Sequence, residues 1–291
     1  MNNPDGLQAF EQPLASLPYT LRQLILERIQ NLTHYEPVIG IMGKSGAGKS
    51  SLCNELFRGE VSPVSDVNAC TRDVLRFRLR SGRHNLVIVD LPGVGENGRR
   101  DHEYRALYHR MLPELDLVLW VIKADDRALT VDEQFWHEVM QPYRQKVLFV
   151  INQADKIEPC HEWDTLTNKP SPHQQGNLKA KQAAIMAMFK PHHPVCVVSA
   201  STGWGIEEMV AAMMRCLPDR ATSPVVTQLQ GRLCTEPVKS QARDSFGDAV
   251  GRVFDTAESS SFLPASLKTV IRSVRDAVVS VARAIWDWIF F

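Results

Sequence analysis

The stretch GKSGAGKS, Gly43 to Ser50, decides the fold, because its spacing of two glycines, a lysine and a hydroxyl residue is that of a loop that cradles phosphate groups. It follows the apolar run PVIGIM, Pro37 to Met42, and opens the helical pattern SLCNELF that begins at Ser51. A strand, a glycine-rich turn and a helix in that order point successive backbone N–H groups and a helix N-terminus at one anion. Gly43, Gly46 and Gly48 keep side chains out of its way. Lys49 is expected to reach the outer phosphates, and the Ser50 hydroxyl to ligate Mg²⁺.

Outward from this loop, short apolar runs alternate with helical segments from residue 37 to residue 217. That alternation predicts crossover units: an α/β fold with a mostly parallel sheet and helices on both faces. DVLRFRLRSGRHNLVIVD, Asp73 to Asp90, departs from it, since only a short turn separates its two strands. These predict one antiparallel hairpin at the edge of the sheet, with Leu75, Phe77 and Leu79 inward and Arg76, Arg78 and Arg80 toward solvent. Residues 14–32 read as an amphipathic N-terminal helix. After Pro218 the alternation stops, and the last segment places Leu267, Val270, Ile271, Val274, Val278, Val281, Ile285, Trp288 and Ile289 along one helical face. The expected organisation is an N-terminal helical segment (1–35), a nucleotide-binding domain (36–218) and a helical C-terminal segment (219–291).

Three further motifs fall at the carboxyl ends of strands, where such sheets bind ligands. DLPG carries Asp90, suited to holding Mg²⁺ through water, and Gly93, whose N–H suits a γ-phosphate. NQAD, Asn152 to Asp155, carries a carboxylate able to accept from both the ring N–H and the exocyclic amine of guanine. SASTGWG begins at Ser199. Adenine lacks those donors, and a site built on them rejects it by a factor on the order of 10⁴.

Taken in order, GKSGAGKSSLCN, CTRDV, DLPG, NQAD and SASTGWGI resemble the motifs of the Era/TrmE branch of small bacterial P-loop GTPases, and within it the YfjP/YeeP/YkfA group. The resemblance implies a P-loop NTPase fold, GTP and GDP with Mg²⁺ as ligands, and hydrolysis of GTP by a molecular switch, expected to be slow because Val94 stands at the water-orienting position. It implies Thr71 as a magnesium-binding switch threonine, so that Lys49, Thr71 and Gly93 serve catalysis and Ser50, Thr71 and Asp90 serve the metal. Nucleotide contacts fall on Gly43, Lys44, Ser45, Gly46, Ala47, Gly48, Lys49, Ser50, Ser51, Asn152, Gln153, Asp155, Lys156, Ser199 and Ala200, the Ala200 N–H reading the guanine oxygen. Three residues depart from the pattern. Gln153 stands where lysine is usual, Gly46 where potassium-stimulated members carry asparagine, and Val94 where Ras-like enzymes place the water-orienting glutamine. A nucleotide-binding module with negligible hydrolysis therefore stays open as an alternative.

Thirty-three basic residues balance thirty-three acidic ones, which removes the broad positive field of a nucleic-acid-coating protein. The six cysteines form no CxxC pair, and the N-terminus carries no basic-then-apolar leader, so a cytoplasmic location is expected. Cys160, His161, Glu162 and His173 lie in a polar insertion over 156–177 whose ligand spacing is poor for zinc. The terminal stripe, with WDWIFF at its end, requires a cover. Packing on the chain itself, self-association through the C-terminal helix, and peripheral contact with the inner face of the membrane are the alternatives, beside an unknown protein effector.

Overall fold

The computed structural model describes residue 6 and residues 8–63, 75–93, 101–258 and 264–291. Its sheet is built from β1 (Val38–Met42), β2 (Glu60–Pro63), β3 (Leu75–Ser81), β4 (His84–Asp90), β5 (Leu117–Lys123), β6 (Val147–Asn152) and β7 (Cys196–Val197), in the order β2-β3-β4-β1-β5-β6-β7. From β4 to β7 every pairing is parallel, and β3 runs against both its neighbours. The expected hairpin is therefore present at this end of the sheet, with β2 added outside it. Its facing is only partly as expected. Leu79 is buried and Phe77 half-buried, but Leu75, the first residue of β3, is 57% exposed. Arg76 and Arg78 reach Glu114 and Glu36 instead of standing free in solvent.

Strict alternation along the central strands divides the interior in two. Leu117, Leu119, Val121, Leu148 and Val150 face one side; Val118, Trp120, Ile122, Val147, Phe149 and Ile151 face the other. The second side is covered by α4 (Asp101–Met111), α5 (Thr130–Phe135) and α6 (Pro172–Phe189). Onto the first pack α1 (Gln8–Glu11), α2 (Tyr19–Thr33), α3 (Lys49–Leu56), α7 (Ile206–Cys216), α8 (Asp219–Gln228), α9 (Glu236–Glu258), α10 (Ala265–Ala284) and α11 (Trp286–Phe290), all sharing one apolar core. The N-terminal helix thus begins at Tyr19, later than its sequence pattern suggests, and Pro18 supplies its N-cap.

The C-terminal stripe is covered by the chain itself: Ile271, Val274, Val278 and Ala282 are buried where α10 runs along α9. Helix α10 ends at Ile285, whose backbone leaves the helical region (φ −98°, ψ 5°). The break rotates α11 relative to α10, so Trp286 and Phe290 turn inward while Trp288 stays 43% exposed. No helix among the described residues is long and apolar enough to cross a membrane.

A buried carboxylate closes the opposite end of the sheet. Asp116, just before β5, accepts from the Tyr35 hydroxyl at 2.9 and 3.0 Å and from the Val38 N–H at 3.0 Å, and pairs with Arg220 of α8 at 3.3 Å.

Candidate nucleotide site

Between β1 and α3 the loop folds as its glycines require. Gly43 sits at φ +146°, where a Cβ would stand 2.2 Å from the Val121 carbonyl oxygen, and Gly48, the N-cap of α3, sits at φ +86° with the Asn152 amide in the way. Neither position admits a side chain. Lys49, the first residue of α3, donates from Nζ to the Gly43 carbonyl at 2.9 Å, closing the loop on itself.

Asn152 ties the expected motifs together. It ends β6, is buried, donates from Nδ2 to the Ala47 carbonyl at 2.9 Å and accepts at Oδ1 from the Ala200 N–H at 3.0 Å. The donor expected to read a guanine oxygen is thus already engaged by Asn152. Gln153, at φ +64°, donates to the Gly46 carbonyl at 2.7 Å, so the uncharged side chain in the usual lysine position still reaches the phosphate loop. Asp155 accepts from Ser199 Oγ at 2.7 Å and from Ser201 Oγ at 3.1 Å, one hydroxyl on each carboxylate oxygen. Ser201 escaped the sequence reading, although a second serine two places beyond Ser199 was a visible signal. Lys156 is exposed and its side chain takes no part in these contacts.

At the phosphate end, Lys49, Ser50 and Asp90 line one cavity of about 500 Å³, floored by Ile41, Phe77 and Ile88. Ser50 and Asp90 therefore share one side of the loop, as a metal held between a hydroxyl and a carboxylate needs. Gly93 is buried two residues beyond Leu91, whose N–H donates to the Ile41 carbonyl at 2.8 Å. Thr71, Val94, Glu96, Arg99 and Arg100 lie outside the described residues. Cys53 also lines the cavity, and burial pushes its thiol up to about 12, so it stays protonated.

Lys44 behaves differently from the rest of the loop. Its ammonium lies 3.0 Å from Asp126 and 2.8 Å from Asp132, and donates as well to the Ala128 carbonyl. Burial alone would lower it, but Asp132 and Asp126 outweigh that and hold it above the ordinary lysine range. Burial raises the Asp132 carboxyl in spite of Lys44; at Asp126 the Ala128 N–H and Lys44 overcome burial and lower it. The pair anchors the loop after β5 to the phosphate loop, a link that sequence spacing did not reveal.

No group of three or more His, Cys, Asp or Glu residues among the described residues is arranged to hold an ion. Glu162 and His173 do meet at 3.1 Å, with Ser171 Oγ donating to the same carboxylate at 2.6 Å. These hydrogen bonds, Ser171 first, hold Glu162 below the usual carboxylate range.

The family described as "50S ribosome-binding GTPase" matches residues 38–153, the segment that carries the loop, DLPG and the start of NQAD. YkfA and YfjP of Escherichia coli are each 54% identical to the chain over 291 residues, covering all of both proteins. GTPase Era of Aquifex aeolicus is 27% identical over 188 residues, 62% of this chain and 56% of that protein. The chain belongs to the YkfA/YfjP family, a group of Era/TrmE-like P-loop GTPases.

Proposed function

We propose that the chain binds GTP and GDP with Mg²⁺, hydrolyses GTP slowly, and works as a switch whose two states are read by a protein effector. The observation that carries this is the pairing of a phosphate loop with a doubly braced carboxylate, Asp155, through the single residue Asn152. Phosphates would lie along residues 43–51, with Lys49 leaving the Gly43 carbonyl to meet them, and the base against Gln153, Asp155 and the loop opened by Ser199. The Ala200 N–H would share itself between Asn152 and the guanine oxygen. Ser50 and Asp90, with Thr71, would hold Mg²⁺, which when bound neutralises charge on the terminal phosphates. Gly93 would contribute its N–H to the γ-phosphate. No glutamine stands at Val94 to orient water, which supports a rate nearer that of an unassisted switch, about 10⁻⁴ to 10⁻² s⁻¹.

Calorimetry tests the reading. Wild type should bind GDP and ignore ADP, and Asp155→Asn should weaken GDP while favouring xanthosine diphosphate, whose C2 carbonyl oxygen accepts from an amide. Equal binding of ADP and GDP by wild type would overturn it. The apolar stripe of α10 is buried on α9, so self-association and lipid contact would have to use other surfaces. A cytoplasmic location fits a switch of this kind.

A further inference from the structure

The insertion between the guanine motif and α6 is a built structure. Asp164 accepts from the N–H groups of Leu166 and Thr167 at 2.9 and 3.1 Å and from Thr167 Oγ1 at 2.5 Å, and it pairs backbone to backbone with Lys169. This is a tight turn. Its base is fastened to α6: Gln174, fully buried, donates to the Ile157 carbonyl at 3.0 Å, and Asn177 donates to the Glu158 carbonyl at 2.7 Å.

The other side of the turn meets the loop from Ser199 to Trp204. Asn168, at φ +52°, donates from Nδ2 to the Thr202 carbonyl at 2.8 Å, and Trp163 packs edge-on against Trp204 with ring centroids 5.8 Å apart. That loop is pinned at its own base, where the Ser199 N–H donates to the Trp204 carbonyl at 2.9 Å. Its inner side carries the two hydroxyls, Ser199 and Ser201, that brace the Asp155 carboxylate. The insertion, the loop and Asp155 are therefore stacked in series. A shift of the Thr202 carbonyl moves Ser201, its neighbour in the chain, and with it one of the two donors that fix the carboxylate plane.

We propose that the 158–169 insertion is a specificity prop, in which Asn168 and Trp163 act as positioning residues that hold the Ser199–Trp204 loop so that Asp155 faces a guanine base. Both residues act on Asp155 through that loop, whose Ser199 and Ser201 hydroxyls hold the carboxylate. Asn168 suits the place for two reasons: asparagine tolerates a positive φ better than other residues with side chains, and its amide supplies the donor. The need for such a prop is local. Gln153 is shorter and uncharged where the guanine motif usually carries a lysine along the base, so base recognition leans more heavily on Asp155 and its hydroxyl braces.

This inference rests on the nucleotide reading above, and the test separates the two. Asn168→Gly keeps the positive φ and removes only the donor; GDP and inorganic pyrophosphate binding are then compared by calorimetry with Mg²⁺, and steady-state GTP hydrolysis is followed alongside. The expected result is a GDP dissociation constant raised about five- to tenfold, the scale of one lost hydrogen bond, with pyrophosphate binding and kcat unchanged and KM raised in step. Trp163→Ala should act in the same direction and Trp163→Phe, which keeps an aromatic edge, should restore most of the affinity; this pair decides the matter if Asn168→Gly does not fold. GDP affinity within about twofold of wild type in the folded variants, or an equal loss for pyrophosphate, overturns the prop. A wild type that binds pyrophosphate but not GDP overturns the nucleotide reading and the prop together.

Discussion

On one face of the sheet, Trp120, Phe135, Trp136, Phe149 and Phe189 interlock, with Phe149 centroids 5.1 Å from Trp120, 5.1 Å from Trp136 and 4.9 Å from Phe189. On the other, mostly aliphatic strand residues lie beneath α3, α7 and α8, and α9, α10 and α11 form a further layer against those helices. The helices over the aromatic face fall within residues 101–189, whereas the layered face draws on helices from residue 8 to residue 290. Large rings fill volume with few side chains, so one layer of helices suffices there. The aliphatic face gains its depth by adding helices, and the chain after α8 also fastens the far end of the helix that follows the nucleotide loop. Gln230, just after α8, donates to the Asn54 and Phe57 carbonyls at the end of α3 at 3.1 and 2.9 Å, and its own N–H donates to the Leu56 carbonyl.

The sharpest way to break the comparison is at the centre of the aromatic face. Trp120 touches four other rings, and its indole N–H finds no acceptor among the described residues, so packing alone holds it. Trp120→Ala should cost about 4 kcal/mol in denaturant unfolding, at the scale of other large-to-small aromatic core changes. A cost near that of a surface substitution would mean that the rings do not act as one core.

Trp286→Ala probes the outer layer of the other face. The ring is buried, lies tilted beside Phe290 with centroids 5.7 Å apart, and donates to Ser223 Oγ at 2.8 Å. A loss of about 3 kcal/mol is expected, together with faster proteolysis of 264–291 and GDP affinity held within about twofold. Uniform proteolytic loosening of the whole chain would show instead that the layers of this face are inseparable.

The smallest effect expected is a pH dependence confined to the layered face. His84, the first residue of β4, stacks on Phe290 at 4.9 Å and meets the Ile289 carbonyl at 3.4 Å. Burial, helped by the charges of His34 and Arg83, lowers its imidazole from the ordinary value of 6.5 despite hydrogen bonding to the backbone of Ile289 and Thr33. A lowered folded-state value means that the unfolded chain binds the proton more readily, so this contribution is full above pH 6.5 and is lost as pH falls through the folded value. Thermal unfolding of wild type should weaken below pH 6.5 relative to His84→Gln; parallel curves would remove His84 from the account.

Much of this was legible in the chain. The phosphate loop, DLPG, NQAD and the serine loop each follow an apolar run, and period-two alternation in LVLWVI and VLFVIN already separates the two faces that the core residues occupy. The start of α6 lies inside the polar insertion over 156–177, where Ser171 and Gln174 form a capping box around Pro172 that marks it in the sequence. Strand β2 was not legible: four residues ending in proline show no periodicity, and only pairing with β3 makes them a strand. Nor could spacing show that Lys44 turns to Asp126 and Asp132, because both partners lie about eighty residues away. The inward turn of Trp286 in place of Trp288 depends on the helix break at Ile285, which carries no proline or glycine to announce it.

The contact between His84 and the Ile289 carbonyl spans 205 residues of chain, and the Asp116 carboxylate gathers groups 81 residues before it and 104 after it. Helix α2 lies against α9, which is synthesised long after it. During synthesis the aromatic face therefore has all its parts while the aliphatic face waits with Ile25 and Ile29 uncovered. Closing such distant contacts is slow, and exposed apolar surface on an unfinished chain invites aggregation. The two faces should accordingly mature in sequence, with the segment from 236 onward needed to shield the layered face of the nascent protein from its neighbours.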